Sequence, residues 1–363
     1  MSPARFPLPP GAVVGVLGGG QLGRMLAMAA ARLGFDVAVL DPDPEAPAHR
    51  VAATAIVGAY DDPAALRALA EVSDVITFEF ENVPADALEV LASAGASVAP
   101  AARALAISQD RLAEKTFLNE TGAPTVAFAA VNGPGDIVAA LHALGGPLLV
   151  KTRHGGYDGK GQAWIERADA AGEVFAAIGS APAIAEAAAD FRRELSVIAA
   201  RGRDGEIALY PLSENHHEAG ILRRSLAPAA APAAMLEQAE RIAATLLHAL
   251  DYVGVIGIEL FELEGGRLLV NEFAPRVHNT GHWTLDGCEV DQFEQHVRAV
   301  AGWPLGPTHA IAHVEMTNLI GEEAADWARL AAEPETRLWL YGKAEARPGR
   351  KMGHVNRLSP LRA

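Results

Sequence analysis

Two groups of residues have types and spacings that do chemistry. The first lies in Leu-Leu-Val-Lys-Thr-Arg-His-Gly-Gly-Tyr-Asp-Gly-Lys-Gly-Gln, residues 148–162. A short apolar run ends at Lys151, and glycines follow at 155, 156, 159 and 161. Ordering so glycine-rich a loop is entropically unfavourable unless its backbone must approach something closely. Bare N–H groups flanked by Lys151 and Lys160 make an anion cradle, and a polyphosphate fits it. No Gly-Lys-Ser/Thr triplet opens a helix, so this is not a Walker loop. The plainer alternative is a hairpin tip that binds nothing.

The second group is a pair of acids. Residues 253–261 and 268–273 read as strands around Glu264-Gly265-Gly266-Arg267, a hairpin signal. In the expected register residue 263 faces 268, so Glu259 faces Glu272 with Cβ atoms about 5 Å apart. Like charges so placed destabilise a sheet, and a hard divalent cation, most simply Mg²⁺, compensates them. An exposed acidic pair is the alternative. Ala-Pro-Arg-Val-His-Asn-Thr-Gly-His-Trp follows at once, residues 274–283. Dense in donors and beside a metal–phosphate site, it reads as a transition-state-stabilising loop.

A third glycine cluster opens the chain. Residues 12–17 form an apolar strand, Gly18-Gly19-Gly20-Gln21-Leu22-Gly23 turns into a helix over 24–33, and a strand over 37–40 ends at Asp41. Gly18, Gly20 and Gly23 have G-x-G-x-x-G spacing, and Asp41 stands where a ribose-binding acid would. Alone, this says NAD-dependent dehydrogenase. The signal is weak, because any strand-to-helix turn that holds a phosphate favours glycine. A helix over 63–71 and a strand over 74–78 follow. Glu79 and Glu81, at a strand's carboxyl end, are candidate ligand contacts, with a solvated acidic loop as the alternative. Ser108 reads as the N-cap of a helix over 109–121 that carries Arg111 and Lys115 on one face. Strands over 183–186, 195–199 and 207–212 lack the parallel look of residues 12–100 and read as a separate α+β domain.

Composition sets the frame. A chain of 363 residues suffices for two or three domains. Its net charge of −15 repels nucleic acid and anionic membrane, so any polyanion site is a local basic pocket. Lys343, Arg347, Arg350 and Lys351, set against Glu345, form such a cluster. The single Cys288 excludes a disulfide framework and suits a reducing cytoplasm. No apolar run approaches the roughly 18 residues of a membrane helix, and the Pro-rich start has no signal-peptide core.

Together the pieces resemble the ATP-grasp ligases, and within them the 5-(carboxyamino)imidazole ribonucleotide synthases of purine biosynthesis. The carrying motifs are Leu-Gly-Gly-Gly-Gln-Leu-Gly-Arg-Met-Leu at 17–26, the glycine loop at 155–162, the donor loop at 274–283, and Arg-Pro-Gly-Arg-Lys-Met-Gly-His at 347–354. They occur in the family's order and span nearly the whole chain. The resemblance implies an α/β and α+β ATP-grasp fold. Its parts are a Rossmann-like (pre-ATP-grasp) N-terminal domain over 1–107, an ATP-grasp domain over 108–295 with a mobile lid at about 123–190, and a small C-terminal domain over 296–363.

The resemblance also implies site residues. ATP is held by Arg111, Lys151, the loop Gly156, Tyr157, Asp158, Gly159, Lys160, Gly161 and Gln162, and the hinge Glu186, Ala187, Ala188 and Ala189 against adenine. Glu194 holds the ribose, and His217, Asn271 and Glu272 fall on further nucleotide positions. Glu259 and Glu272 carry Mg²⁺. Many ATP-grasp enzymes have Asn two residues after the second acid. Ala274 stands there in this chain, so fewer protein ligands are expected. Gln21, Leu22, Glu79, Asn279, Lys343, Arg350 and Lys351 hold the ribonucleotide, with the cations on its 5′-phosphate. The implied reaction joins ATP, bicarbonate and aminoimidazole ribonucleotide through carboxyphosphate, held by Arg276, His278 and Asn279, and needs no side-chain nucleophile. A cytoplasmic homodimer that binds neither nucleic acid nor membrane is expected. The dehydrogenase alternative leaves the second glycine loop, the acid pair and the basic cluster without a role. A non-catalytic ATP-grasp relative is at odds with site positions that are all chemically competent. Many family members are expected to run several tens of residues past Lys-Met-Gly-His, so a last strand and helix are expected to be missing here or replaced by a partner.

Overall fold

The computed structural model describes residues 5–155 and 159–361, so Gly156, Tyr157 and Asp158 of the expected nucleotide loop lie outside the described residues. Strands β1 (Val13–Leu17), β2 (Asp36–Asp41), β3 (Thr54–Val57) and β4 (Val75–Phe78) form a parallel sheet in the order β3-β2-β1-β4. The inner strands are apolar because helices α1 (Gln21–Arg32), α2 (Pro63–Val72) and α3 (Ala85–Ser93) bury them. Helix α1 begins three residues before the expected start. Gly20 supplies no side-chain cap, and Glu79 does so from across the sheet, accepting from the Gly20 N–H at 2.8 Å and the Gly23 N–H at 2.9 Å.

Ser108 is not an N-cap. It ends α4 (Ala102–Ser108), with its hydroxyl donating to the Leu105 carbonyl. Asp110 caps α5 (Arg111–Glu120), accepting from the N–H groups of Leu112 and Ala113. A carboxylate two residues further on completes the cap that the hydroxyl was expected to make.

Strands β5 (Phe128–Val131), β6 (Leu148–Thr152), β7 (Gln162–Ile165) and β8 (Ala183–Ala187) make a small antiparallel sheet ordered β5-β8-β6-β7. Helices α6 (Pro134–Leu144) and α7 (Ala171–Ala177) close a separate core around Ile137, Leu148, Val150 and Ala185. Lys151 pairs with Gln162, so the glycine loop is the tip of the β6–β7 hairpin.

The third sheet has nine strands: β9 (Phe191–Arg201), β10 (Ile207–Leu209), β11 (Ser213–Glu218), β12 (Ile221–Ala227), β13 (Gly254–Leu263), β14 (Leu268–Ala274), β15 (His313–Ile320), β16 (Thr336–Leu340) and β17 (Lys351–Ser359). They run β14-β13-β9-β11-β12-β15-β17-β16, with β10 beside β9. The C-terminal strands therefore extend the same sheet as the acid-pair hairpin. Helix α8 (Ala233–Ala249) packs into a core with Leu195, Ile256 and Val270. After the short α9 (Thr284–Gly287), α10 (Gln292–Ala301) places Phe293 and Val297 in one core with Met25 and Leu26 of α1. Helix α11 (Trp327–Ala331) lies near the C-terminal strands and contributes Leu330 to a small cluster with Leu319 and Val355.

The hairpin register differs from the expected one. Leu268 pairs with Glu262, and Val270 with Leu260, one residue out of the expected step. A one-residue slip would turn Glu272 to the wrong face. A bulge restores it. Phe273 pairs with Ile258, so Asn271 and Glu272 together stand opposite Glu259.

Candidate active site

The three sheets meet around a cleft of about 990 Å³. Because of the bulge, Glu259, Asn271 and Glu272 all line it. Asn271 Nδ2 donates to Glu259 at 3.4 Å, and Arg111 Nη1 donates to Glu272 at 2.8 Å. Burial and neighbouring Glu272 push Glu259 up to about 7. Burial also raises Glu272, but the Arg111 guanidinium outweighs it and holds that carboxyl down at about 2. Two crowded carboxylates suit a hard divalent cation that takes its remaining ligands from water and phosphate. Among the described residues no group of three or more His, Cys, Asp or Glu side chains is placed to hold a metal. A cation on this pair would need substrate oxygens to complete its shell.

Helix α5 sets the next layer. With Asp110 capping it, Arg111, Glu114 and Lys115 point inward. Lys115, read from sequence as one of two cations on a helix face, is 2% exposed. Its ammonium lies 3.4 Å from Glu186, and that of Lys151 lies 2.7 Å from the same carboxylate. Glu114 accepts from the Phe273 N–H at 2.8 Å and so anchors the strand beside Glu272. Burial and Glu272 push its carboxyl up to about 8.

The β6–β7 hairpin comes next to this layer. Gly159, Lys160 and Gln162 line the cleft. Gly161 has φ +69°, and a Cβ there would meet Thr152 Oγ1 at 2.7 Å. The hairpin base is tied down by the Arg153–Asp110 ion pair and by Arg111 N–H donating to the Arg153 carbonyl at 3.0 Å. Asp110 thus serves both as helix cap and as latch. Burial raises its carboxyl, but the Arg153 pair and the amide bonds leave it below the usual range.

On the opposite wall, the N-terminal turn is already filled. Asp41 is 8% exposed and accepts from the Gly19 N–H at 2.6 Å and the Tyr60 hydroxyl at 2.7 Å. Cβ atoms added at Gly18 and Gly20 would meet Glu79 at 2.4 and 2.5 Å. The glycines make room for the chain's own carboxylates, and Asp41 is not offered to a ribose. That removes the basis of the dehydrogenase alternative. Gln21, Leu22 and Glu79 do line the cleft, as does Lys351. Lys343 donates to the Lys351 carbonyl at 2.8 Å. Burial first, and then Arg350, pull its ammonium down to about 8, with Glu79 close enough to oppose them. Lys343, Arg350, Lys351 and Glu79 therefore form one neighbourhood.

The donor loop lies between. Arg276 Nη2 stands 2.5 Å from Glu81, bridging the third sheet to the first. His278 is neutral: burial and Arg276 pull it down to about 3. Its Nδ1 meets Thr280 Oγ1 at 2.8 Å and its Nε2 lies 3.7 Å from Glu259. Both polar side-chain atoms of Asn279, a cleft-lining residue, are buried without a protein partner.

Further positions divide. Glu194 and His217 pair at 2.5 Å on the cleft wall. Glu186 lies behind the lysines instead of on the surface, 4% exposed. Gly161, Ala187, Ala188, Ala189, Lys343 and Arg350 are not on the lining, and the N–H groups of Ala187 and Ala188 are taken by the Ala127 and Pro147 carbonyls. Sequence reasoning missed Phe191 and Phe261, which stack at 4.6 Å on the lining and offer an apolar face to a flat ring. Their signal was an aromatic at the start of β9 and another two residues before the end of β13, strands that pair in the sheet. It also missed the latch Asp110 and Arg153, and the buried Lys115.

Three domain families match in series: the ribonucleotide synthetase preATP-grasp domain over 12–109, the ATP-grasp domain over 116–293, and the phosphoribosylaminoimidazole carboxylase C-terminal domain over 315–362. The chain is 54% identical over 355 residues to N5-carboxyaminoimidazole ribonucleotide synthase of Brucella melitensis, covering 97% of this chain and 98% of that one. The Bacillus subtilis synthase is 42% identical over 95% of this chain and 91% of its own. Among solved structures, the Thermus thermophilus synthetase superposes with TM-score 0.90 at 47% identity, covering 95% of this chain and 93% of that one. The Aspergillus clavatus synthase in complex with ADP and 5-aminoimidazole ribonucleotide does so with TM-score 0.91 at 34% identity, covering 97% and 94%.

Proposed function

The chain belongs to the N5-carboxyaminoimidazole ribonucleotide synthase family of ATP-grasp enzymes, and from that premise we propose how its own residues carry the reaction. The enzyme is an ADP-forming ligase of purine biosynthesis that carboxylates the exocyclic amine of 5-aminoimidazole ribonucleotide. Bicarbonate is the carboxyl source. Its oxygen attacks the γ-phosphorus of ATP, ADP leaves, and carboxyphosphate forms. The amine then takes the carboxyl group, phosphate leaves, and the carbamate remains.

The observation that carries this reading is one continuous cleft lined by the hairpin residues Gly159, Lys160 and Gln162, by the acid pair, and by Gln21, Glu79 and Lys351. Lys151 and the hairpin amides face the triphosphate. The Phe191–Phe261 stack takes the base, and Glu194 with His217 takes the ribose. Glu259 and Glu272 would hold Mg²⁺, which when bound neutralises charge on the phosphoryl oxygens. Arg276 offers its guanidinium to the carboxyphosphate anion. His278, being neutral, orients by hydrogen bonding and carries no charge. The partnerless amide of Asn279 is matched to substrate, since buried polar groups are normally paired. Lys343, Arg350 and Lys351 hold the 5′-phosphate, with the Gln21–Leu22 helix start beside them.

The domain divisions proposed are 107/108 and 295/296, with the segment at about 123–190 closing as a lid over ATP. The enzyme is taken to be a cytoplasmic homodimer, which sedimentation and cell fractionation test. Among the described residues no helix is long and apolar enough to cross a membrane.

The test of the reaction is ADP release with each co-substrate omitted in turn. Dependence on bicarbonate and stimulation by the ribonucleotide are expected. ADP release indifferent to the ribonucleotide would overturn the substrate assignment.

A further inference from the structure

The donor loop is held by a residue outside it. Gln292, at the start of α10, is 0% exposed. Its Oε1 accepts from the His278 N–H at 2.8 Å, and its Nε2 donates to the His278 carbonyl at 2.7 Å. One side-chain amide thus grips both main-chain groups of one residue, as a neighbouring strand would. The second Nε2 proton points at His282 Nδ1, 3.1 Å away. The amide is fixed in turn: Gln292 N–H donates to Thr284 Oγ1 at 3.1 Å, and that hydroxyl donates to the Gly281 carbonyl at 2.7 Å.

Two glycines are cut to this arrangement. A Cβ at Gly281 would meet Gln292 Oε1 at 2.6 Å, and a Cβ at Gly257 would meet the His278 Cβ at 2.5 Å. Neither glycine has a positive φ, so each is present for space alone.

We propose that Gln292 is a positioning residue that couples ATP cleavage to carboxylation. By fixing the His278 backbone it sets the directions of Arg276 and Asn279, which hold the activated bicarbonate against the amine. This rests on the function proposed above. With the loop loosened, water competes with the amine for carboxyphosphate. Hydrolysis returns bicarbonate and phosphate, and the net reaction becomes ATP plus water giving ADP and phosphate.

The experiment compares the full-length enzyme with Gln292→Leu, Gln292→Glu and Gly281→Ala, measuring ADP formed and ribonucleotide consumed in the same assay. Gln292→Glu keeps the acceptor for the His278 N–H but sets an oxygen against the His278 carbonyl. Gly281→Ala displaces Gln292 without altering it, and serves if the core variants fail to fold. The parent should form one ADP per ribonucleotide consumed. The variants should lose about 10–100-fold in ribonucleotide turnover, the scale of an ångström's misplacement at a reacting centre. They should form several ADP per ribonucleotide and keep KM for ATP near the parent value. Variants that melt earlier but retain one-to-one coupling and parental turnover would make Gln292 merely structural and overturn the inference. A parent whose ADP release ignores the ribonucleotide would instead remove the functional reading beneath it.

Discussion

The turn at 18–23 and the hairpin tip at 153–162 look alike in sequence, each a glycine-rich break after a short apolar strand. In space they do opposite things. The first is packed shut by Asp41 and Glu79, which take the N–H groups of Gly19, Gly20 and Gly23. The second leads into the cleft, with Gly155, Gly159 and Gly161 at positive φ and open space where a Gly155 Cβ would go. Glycine spacing therefore reports close approach and says nothing of what approaches. That is decided by acids 22 and 59 residues away from the turn.

The comparison breaks if chemistry resides at the first turn. Glu272→Gln should abolish ADP formation, a loss of at least about 10³-fold, because the cation and phosphate clamp go with it. Asp41→Asn should leave kcat/KM for ATP within about twofold. Steady-state ADP release from folded variants decides both.

Stability sharpens it next. Gly18→Ala puts a Cβ 2.4 Å from Glu79 at φ +102°, so overpacking adds to backbone strain. It should cost about 3 kcal/mol. Gly155→Ala, with φ +75° and no neighbour within 4 Å, should cost about 1 kcal/mol, from backbone strain alone. Denaturant titration reads the difference, and equal costs would mean that the two turns are packed alike.

The filled turn should still serve the ribonucleotide through the basic cluster beside it. Arg350→Ala should raise KM for the ribonucleotide about 10–100-fold, the worth of a charge-assisted hydrogen bond, and leave KM for ATP near the parent value. Equal effects on both constants would remove Arg350 from the phosphate site.

The smallest effect is one of pH. Lys343, pulled down to about 8 by burial, is charged below that pH and neutral above it. KM for the ribonucleotide should therefore rise several-fold between pH 7 and pH 9 while KM for ATP stays flat, and the rise should vanish in Lys343→Met.

Much of this was legible in the sequence. Apolar runs gave strands β1, β2, β4 and β6, and period-2 reasoning brought Glu259 and Glu272 together. What was hidden depends on residues far apart. The bulge at Asn271–Glu272 follows from a hairpin slip that strand patterns do not encode. Asp110 and Ser108 both offer cap oxygens two residues apart, and only the helix start chooses between them. Lys115 reads as a solvated cation until Glu186, 71 positions on, is seen beneath it. Glu79 as the cap of α1, and Gln292 as the clamp on His278, have no local signature at all.

Hydrogen–deuterium exchange tests the central contrast most directly, because one experiment reads both glycine segments in the same molecule. Saturating Mg-ATP should slow exchange of the amides at 153–155 and 159–162 and leave those at 18–23 unchanged, and NADH should alter neither. Protection of 18–23 by a nucleotide, with none at the hairpin, would contradict the account.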